Sequence, residues 1–232
     1  MRFPEPLLPG RLVRRFQRFL AEVDLAGDRR ILAHCPNSGS MLGLAVPGSP
    51  VLVSPAPLRR GRKLAYTLEM VAVEGFWVGV HTGRTNALAQ EALEAGVIRE
   101  LGRPLAIRPE VRLGPDCRLD FLLTLPSGPL FLEVKNCTLV RNGIARFPDA
   151  VTVRGTKHLR HLTALAAAGQ GAAVLFVVQR GDALLFQAEA GIDPVYAAAL
   201  DQAAAAGVQV LAYRATLAPG AITVDTPLPW RP

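Results

Sequence analysis

The chain has 232 residues, which suits two small domains, and half of them are hydrophobic, so a largely disordered chain is excluded. Its three cysteines are far apart and lack C-x-x-C spacing, which argues against a disulfide framework and a structural zinc site. The formal net charge of +7 favours polyanionic partners, namely nucleic acid, an anionic membrane surface or a phosphorylated ligand.

The first third of the chain is predicted to form a small β-barrel. Short apolar segments are separated by turn residues such as Ala26-Gly27-Asp28, and no long helical period appears. The predicted strands are residues 12–19, 19–24, 31–34, 51–54, 66–73 and 76–80. Several short strands within residues 11–80 favour an OB-like barrel, the class of small barrel that binds oligonucleotides and oligosaccharides.

The pattern changes near residue 85, where helices begin to alternate with strands. The predicted helices are 86–95, 155–168 and a third from Asp193 to Gly207, and the predicted strands are 106–112, 119–125, 130–135, 173–179 and 208–214. Strands 119–125 and 130–135 are expected to form a hairpin. The chain is therefore predicted to be mixed α/β, with an OB-like domain at 1–83 and an α/β domain at 84–232.

Charged residues interrupt two of the apolar strands in the second domain. Asp120 opens one strand, and Glu133 and Lys135 close the next on one face, because strand side chains alternate. Two carboxylates can hold Mg²⁺ or Mn²⁺ for phosphodiester hydrolysis, and a lysine can position water or stabilise the transition state. Glu91, at the edge of the first helix's buried face, is predicted as a third carboxylate. The alternative is that Glu133 and Lys135 form an ordinary solvated pair.

The order of elements and the Asp-x12-Glu-x-Lys spacing resemble the PD-(D/E)XK nuclease superfamily. Over nearly its full length the chain resembles the sugar fermentation stimulation protein A family. The stretches that carry this resemblance are Arg14-Arg15-Phe16-x-Arg18-Phe19, His34-Cys35-Pro36-Asn37-Ser38-Gly39-Ser40-Met41, Gly79-Val80-His81-Thr82-Gly83-Arg84-Thr85-Asn86, Arg118-Leu119-Asp120-Phe121-Leu122, Glu133-Val134-Lys135-Asn136-Cys137-Thr138-Leu139, Phe147-Pro148-Asp149-Ala150 and Arg154-Gly155-Thr156-Lys157-His158-Leu159. The resemblance implies an OB-like domain, a nuclease-like domain, DNA binding without marked sequence preference, and a regulatory role in sugar metabolism, notably of maltose.

Basic and small polar residues in the first domain suggest a nucleic-acid surface. The predicted contacts are Arg14, Arg15, Arg18, Asn37, Ser38, Arg59, Arg60, Arg62 and Lys63. Solvated loops are often charged, and the loop at Asn37 also suits a purely structural turn. Aromatic residues are few, and Phe16, Phe19 and Tyr66 are predicted to lie in the core rather than to stack on bases.

Lys157 and His158, near the start of the second predicted helix, are weaker candidates for nucleic-acid contact. Lys157 is expected to point toward phosphate. His158 lies on the helix side of Leu162, so a buried structural histidine is the ordinary interpretation and a place at the edge of the active site is the alternative.

Two functions remain open from the sequence. The first is a Mg²⁺- or Mn²⁺-dependent nuclease acting on DNA, and the second is a DNA-binding regulator without turnover; RNA is a further partner to consider. The N-terminal residues lack the apolar stretch of a signal peptide, and the most apolar run, 172–178, is too short to span a bilayer. A cytoplasmic protein without a membrane partner is expected, and a homo-oligomer is compatible with the sequence but not indicated by it.

Overall fold

The computed structural model describes residues 1–56, 63–114 and 117–232. The N-terminal strands are β1 (Leu8–Phe16), β2 (Leu20–Leu25), β3 (Arg29–His34), β4 (Pro50–Pro55), β5 (Tyr66–Val73) and β6 (Phe76–Gly79). Pairing runs β3-β2-β1-β4-β5, and β3 also pairs with β5, so that these strands close a barrel. Alternation in β2 buries Ala21, Val23 and Leu25 inside it. The predicted OB-like barrel is thereby confirmed.

The rest of the chain is a sheet with helices on both faces. Its helices are α1 (Thr85–Glu94), α2 (Val153–Ala167) and α3 (Pro194–Ala205). Its strands are β7 (Ala106–Gly114), β8 (Cys117–Leu125), β9 (Gly128–Cys137), β10 (Leu139–Arg141), β11 (Ile144–Phe147), β12 (Gly171–Val178), β13 (Leu185–Ala188), β14 (Gln209–Ala218) and β15 (Ala221–Leu228). The main sheet has the order β15-β14-β12-β9-β8-β7, in which β9, β12 and β14 are parallel.

Helices α1 and α2 cover opposite faces of that sheet. Leu88 of α1 packs in one buried cluster with Phe121 and Leu132, whereas Leu159 of α2 packs in another with Val174 and Phe176. β12 is buried along almost its whole length, as expected for a strand between two helical layers. The end of β9 is therefore reached by side chains from α1 on one side and from α2 on the other.

The starts of α2 and α3 are tied together by two capping side chains. Thr152 accepts a hydrogen bond from the backbone N–H of Gly155 and caps α2. Asp193 accepts from the N–H of Tyr196 to cap α3, and its second oxygen accepts from the N–H of Thr152. This junction fixes the beginning of α2, where Arg154, Lys157 and His158 lie.

The barrel and the main sheet are joined by backbone and side-chain contacts. The N–H of Gly79 donates to the carbonyl of Gln179, and Val78 forms a bridge with Arg180. Met70 of the barrel packs in the same apolar cluster as Leu88. The barrel and the main sheet are thus in direct contact. The division of the chain into two domains at residue 83 stays a prediction.

Most predicted elements occur within a few residues of the expected bounds, but four strands of the second part were missed. β10, β11 and β13 have three or four residues each, too few to show an alternating pattern. β15 contains Pro227 and lies at the edge of the sheet. Within the described parts of the chain, no helix combines the length and the apolar character needed to cross a membrane.

Candidate active site

Asp120 lies where the ladder between β8 and β9 ends. The last paired residues are Phe121 and Leu132, one position away. Beyond this pair, the Asp120 side chain rather than the backbone of β8 bonds to β9. Its Oδ2 accepts a hydrogen bond from the N–H of Val134 at 2.8 Å, and its Oδ1 accepts one from Asn86 Nδ2 of α1 at 2.8 Å. Asp120 therefore links the end of β9 to α1.

Glu133 is almost fully buried on the neighbouring strand. Its Oε1 accepts from Lys135 Nζ at 2.6 Å and is in contact with Nδ1 of His158. Its Oε2 is buried and has no hydrogen-bond partner among the described residues. Because an unpaired buried carboxylate oxygen costs free energy, this atom is available to a ligand.

His158 holds Glu133 from the side of α2. Its Nε2 accepts from Nε of Arg154, one helical turn earlier, at 3.4 Å. This network fits the neutral tautomer with the proton on Nδ1, which then donates to Glu133. His158 is buried, as the ordinary interpretation from the sequence expects, and its place at the edge of an active site stays a prediction.

The two carboxylates have opposite electrostatic surroundings. Burial, followed by the negative charge of Glu133, raises the pKa of Asp120 above its ordinary value, although the hydrogen bonds from Val134 and Asn86 act in the other direction. Burial alone would also raise the pKa of Glu133, but the hydrogen bond with His158 and the charge of Lys135 outweigh it, and the pKa is lowered. Glu133 is therefore the ionised partner, and Asp120 holds a proton more readily.

We call Asp120, Glu133, Lys135 and His158 the acidic cluster. Its composition fits Mg²⁺ or Mn²⁺, which prefer oxygen ligands and keep several water molecules, and the free Oε2 of Glu133 supplies one such ligand. Among the described residues no group of three or more His, Cys, Asp and Glu side chains is arranged to hold a metal ion. A metal ion here would thus depend on the two carboxylates and on water.

The expectation that Glu91 contributes a third carboxylate is corrected by its position. Glu91 is exposed and forms an ion pair with the amino group of Met1 at 2.6 Å. The residue of α1 that contacts Asp120 is Asn86, and a separation of five residues turns Glu91 about 140° away around the helix. Asn86 was not predicted because an uncharged amide does not stand out in the charge pattern of this helix.

A groove of about 670 Å³ lies between the barrel and the end of β9. Its described walls are Arg15, Arg18, Asn37, Ser38, Gly39, Ser40 and Thr82 on one side and Asn136, Thr138, Leu139, Arg146, Phe147, Pro148, Asp149, Ala150, Val151 and Thr152 on the other. Asn136, at the end of β9, lines this interdomain groove, but no member of the acidic cluster is among its described walls. Ser40 Oγ donates to Asp149 Oδ2 at 2.8 Å and ties the two walls together.

The barrel residues predicted to bind DNA occupy different environments. Arg15 donates to the carbonyls of Asn37 and Gly39, and buried Asn37 donates to that of Val80, so both have structural roles at the groove wall. Arg18 and Ser38 are exposed in the groove. Arg14 instead pairs with Glu22, outside the groove lining.

The predicted basic loop is only partly described. Arg59, Arg60 and Arg62 lie outside the described residues. Lys63 is described and exposed.

A second cavity, of about 700 Å³, lies beside His158. We call it the basic pocket, and its walls are Arg112, Gly114, Cys117, Arg118, Val153, Arg154, Lys157 and His158. Arg118 pairs with Glu110, but Arg112, Arg154 and Lys157 form no ion pair with a described carboxylate. Sequence reasoning missed the three arginines; helical spacing from Arg154 to Lys157 and His158 could have indicated one of them.

Comparisons with known proteins agree with this architecture. Residues 13–80 match the family model described as the SfsA N-terminal OB domain, and residues 83–221 match that of the sugar fermentation stimulation protein RE domain. A sugar fermentation stimulation protein homolog of Geobacter metallireducens is 50% identical over 230 residues, which cover 99% of each chain. A homolog of Syntrophotalea carbinolica is also 50% identical, covering 99% of this chain and 98% of that one.

A solved structure shows the same fold. It is described as Pyrococcus furiosus SfsA in complex with Ca²⁺, and it superposes with a TM-score of 0.90 at 27% sequence identity. The match covers 100% of this chain and 98% of the Pyrococcus chain. The barrel and the main sheet are therefore arranged as in that protein.

Proposed function

Because the chain belongs to the sugar fermentation stimulation protein family, we propose that it is a nucleic-acid-binding protein whose acidic cluster hydrolyses phosphodiester bonds of DNA with Mg²⁺ or Mn²⁺. One observation carries the proposal. A buried, ionised Glu133 has one oxygen held by Lys135 and His158 and the other unpartnered among the described residues, next to a second carboxylate. Placing such charges in a protein interior is costly unless they are paired or bind a ligand.

Two further findings support the metal-dependent chemistry. The related Pyrococcus protein was solved in complex with Ca²⁺, a cation that takes the same kind of oxygen ligands. The order α1-β7-β8-β9-α2-β12, interrupted only by two short strands, together with Asp120, Glu133 and Lys135, resembles the PD-(D/E)XK nucleases. When bound, the metal ion would polarise the phosphate and acidify a water molecule.

The residues of the chain have separable roles in this proposal. Asp120 and Glu133 would hold the metal ion, Asn86 would orient Asp120, and His158 would orient Glu133. Lys135 lies 2.6 Å from Glu133 and can instead position the attacking water or stabilise negative charge that develops on the phosphate. Because the pKa of Asp120 is raised, this carboxyl group holds its proton more readily than an ordinary carboxyl group does. A cation that binds Asp120 competes with that proton.

Substrate binding is assigned to the interdomain groove and to the basic pocket. The interdomain groove presents Arg18 and Ser38, and the basic pocket presents Arg112, Arg154 and Lys157. Such cations attract a sugar-phosphate chain through neutralisation of phosphate charge and release of counterions. They give no sequence readout, which agrees with DNA binding without marked sequence preference.

The test is cleavage of plasmid DNA, single-stranded DNA and RNA in Mg²⁺ or Mn²⁺, with wild type compared to Glu133→Ala. Cleavage by wild type alone supports the enzyme. The matched control is Glu91→Ala, which removes an exposed carboxylate outside the cluster and is expected to cleave as wild type does. Equal cleavage by Glu133→Ala would point to a contaminating nuclease and contradict the proposal.

A second function is favoured by one specific observation. No group of three potential metal ligands occurs among the described residues, so the protein could bind DNA without turning it over, as a regulator of sugar metabolism, notably of maltose. Binding by both wild type and Glu133→Ala with no cleavage by either supports this alternative.

A further inference from the structure

An exposed aromatic side chain follows Arg18, a residue that lines the interdomain groove. Phe19 is the last residue of the turn between β1 and β2 and is 44% exposed, which corrects the expectation that it belongs to the barrel core. Its ring lies 6.4 Å from that of His34 at a tilt of 33°. Arg18, the preceding residue, is exposed, lines the groove and has no ion-pair partner among the described residues. We call Arg18, Phe19 and His34 the aromatic platform.

Hydrogen bonds to backbone carbonyls attach the turn that carries the platform to the groove wall. Arg15 Nε donates to the carbonyl of Arg18, and the same guanidinium donates to the carbonyls of Asn37 and Gly39. The carbonyl of Phe19 accepts from the N–H of Cys35 at 2.8 Å. The turn and the groove loop are therefore joined, and the backbone of Phe19 is fixed by these hydrogen bonds.

The turn itself is strained in a way that presents these side chains. Gln17 and Arg18 have φ angles of 47° and 61°, a region that glycine or asparagine occupies at lower cost. Residues with long side chains at these positions cost free energy. That cost is consistent with a functional use of what the turn exposes.

We infer that the aromatic platform stacks an unpaired base, so that the nucleic acid taken by the interdomain groove is single-stranded there. This inference rests on the proposed nucleic-acid binding and names its substrate class. An exposed ring can stack on a base only when the face of the base is free, which is not the case inside a duplex. Arg18 lines the groove and supplies a cation for the backbone, whereas Arg146 lines it but pairs with Glu189 at 3.4 Å; Asp149 is the one described carboxylate in the groove wall.

Fluorescence anisotropy with labelled oligothymidylate, oligouridylate and a DNA duplex of the same length tests the inference, with chelator present so that nothing is cleaved. Wild type is expected to bind both single strands more tightly than the duplex. Phe19→Ala should weaken single-strand binding roughly tenfold, within the range for one stacked base, and leave duplex binding almost unchanged. Phe19→Trp should bind single strands as well as wild type does.

The matched control is Phe76→Ala, because Phe76 is also 44% exposed on the barrel but, unlike Phe19, has no chain neighbour that lines the groove. Phe76→Ala should change neither the affinity for single strands nor the affinity for the duplex. Thermal unfolding checks that each variant is folded. Tight single-strand binding by Phe19→Ala, or wild type that binds only duplex, overturns the inference and leaves the proposed function intact. Wild type that binds no nucleic acid overturns both.

Discussion

Lys135 and Glu133 are two residues apart on β9 and share one hydrogen bond, yet their proposed roles differ. Glu133 is surrounded by Lys135 and His158, whose combined effect lowers the pKa of the carboxyl despite burial. Lys135 has a partly exposed side chain, with 13% accessible, whereas that of Glu133 is 4% accessible. The more exposed lysine can therefore contact a substrate, whereas the glutamate side chain stays buried.

Replacement of Lys135 separates binding from catalysis. Lys135→Met should lower kcat by about 10²–10³-fold, the loss typical of one group that stabilises transition-state charge, with little change in DNA affinity. Lys135→Arg keeps a cation and should retain more activity than Lys135→Met. Single-turnover cleavage and anisotropy measure the two quantities. A loss of DNA affinity equal to the loss of rate would assign Lys135 to substrate binding instead.

The carboxylates were found from the sequence because charged residues stand out in apolar strands. Glu133 lies between Leu132 and Val134, and period-two alternation correctly placed Lys135 beside it. The contacts of Asn86 with Asp120 and of His158 with Glu133 could not be predicted from strand alternation, although His158 was named as a candidate. These contacts depend on how α1 and α2 are rotated against the sheet. Glu91 was predicted wrongly for the same reason.

Between elements, a largely buried ion pair joins β5 to the start of α1. Arg84 binds Glu69 through two hydrogen bonds, Nε to Oε2 at 2.7 Å and a terminal nitrogen to Oε1 at 2.5 Å. Glu69 is only 1% exposed and also accepts from Ser54 Oγ. The pair anchors α1, and with it Asn86, to the barrel.

Breaking this pair should destabilise the fold. Arg84→Met leaves the Glu69 carboxylate buried without its cation, and the expected loss in the free energy of unfolding is about 3–5 kcal/mol. Urea denaturation followed by circular dichroism measures it. Arg30→Met, which breaks an exposed pair with Asp24, is the control and should cause no measurable change. A similarly small change in the free energy of unfolding of Arg84→Met would show that this ion pair does not anchor α1 to the barrel.

Elements with a clear period were the most predictable part of the fold. Helices α1, α2 and α3 and the hairpin of β8 and β9 follow from apolar spacing and, for α3, from the capping residue Asp193. The short strands β10, β11 and β13 exist because neighbouring strands are available to pair with them. Local sequence carries no signal of that availability.

On the scale of the whole molecule, the basic pocket adjoins the acidic cluster through His158. Substitution of Arg112, Arg154 and Lys157 by Gln removes three cations from the basic pocket. The slope of log affinity against log salt should become shallower by about 2, since each phosphate contact contributes roughly 0.7–0.9. Substitution of Arg99, Arg103 and Arg231, exposed residues that line neither the groove nor the basic pocket, is the charge-matched control. An equal change in both triple variants would mean that only net charge matters.

The arrangement of the two cavities could not be predicted from the sequence. Net charge indicated a polyanionic partner, and the barrel was recognised from its turns. The interdomain groove, however, depends on the contact of Ser40 with Asp149 and on the backbone bond from Gly79 to Gln179. These contacts join residues about 100 positions apart, so local patterns do not report them.

The central claim is that Glu133 and Asp120 together form a divalent-metal site, and calorimetric titration with Mn²⁺ tests it without any substrate. Wild type is expected to bind the ion, and Glu133→Gln and Asp120→Asn, confirmed as folded by circular dichroism, should each lose roughly tenfold or more in affinity. Glu91→Gln should bind as wild type does. Equal Mn²⁺ binding by wild type and Glu133→Gln, or no binding by wild type, would contradict the account.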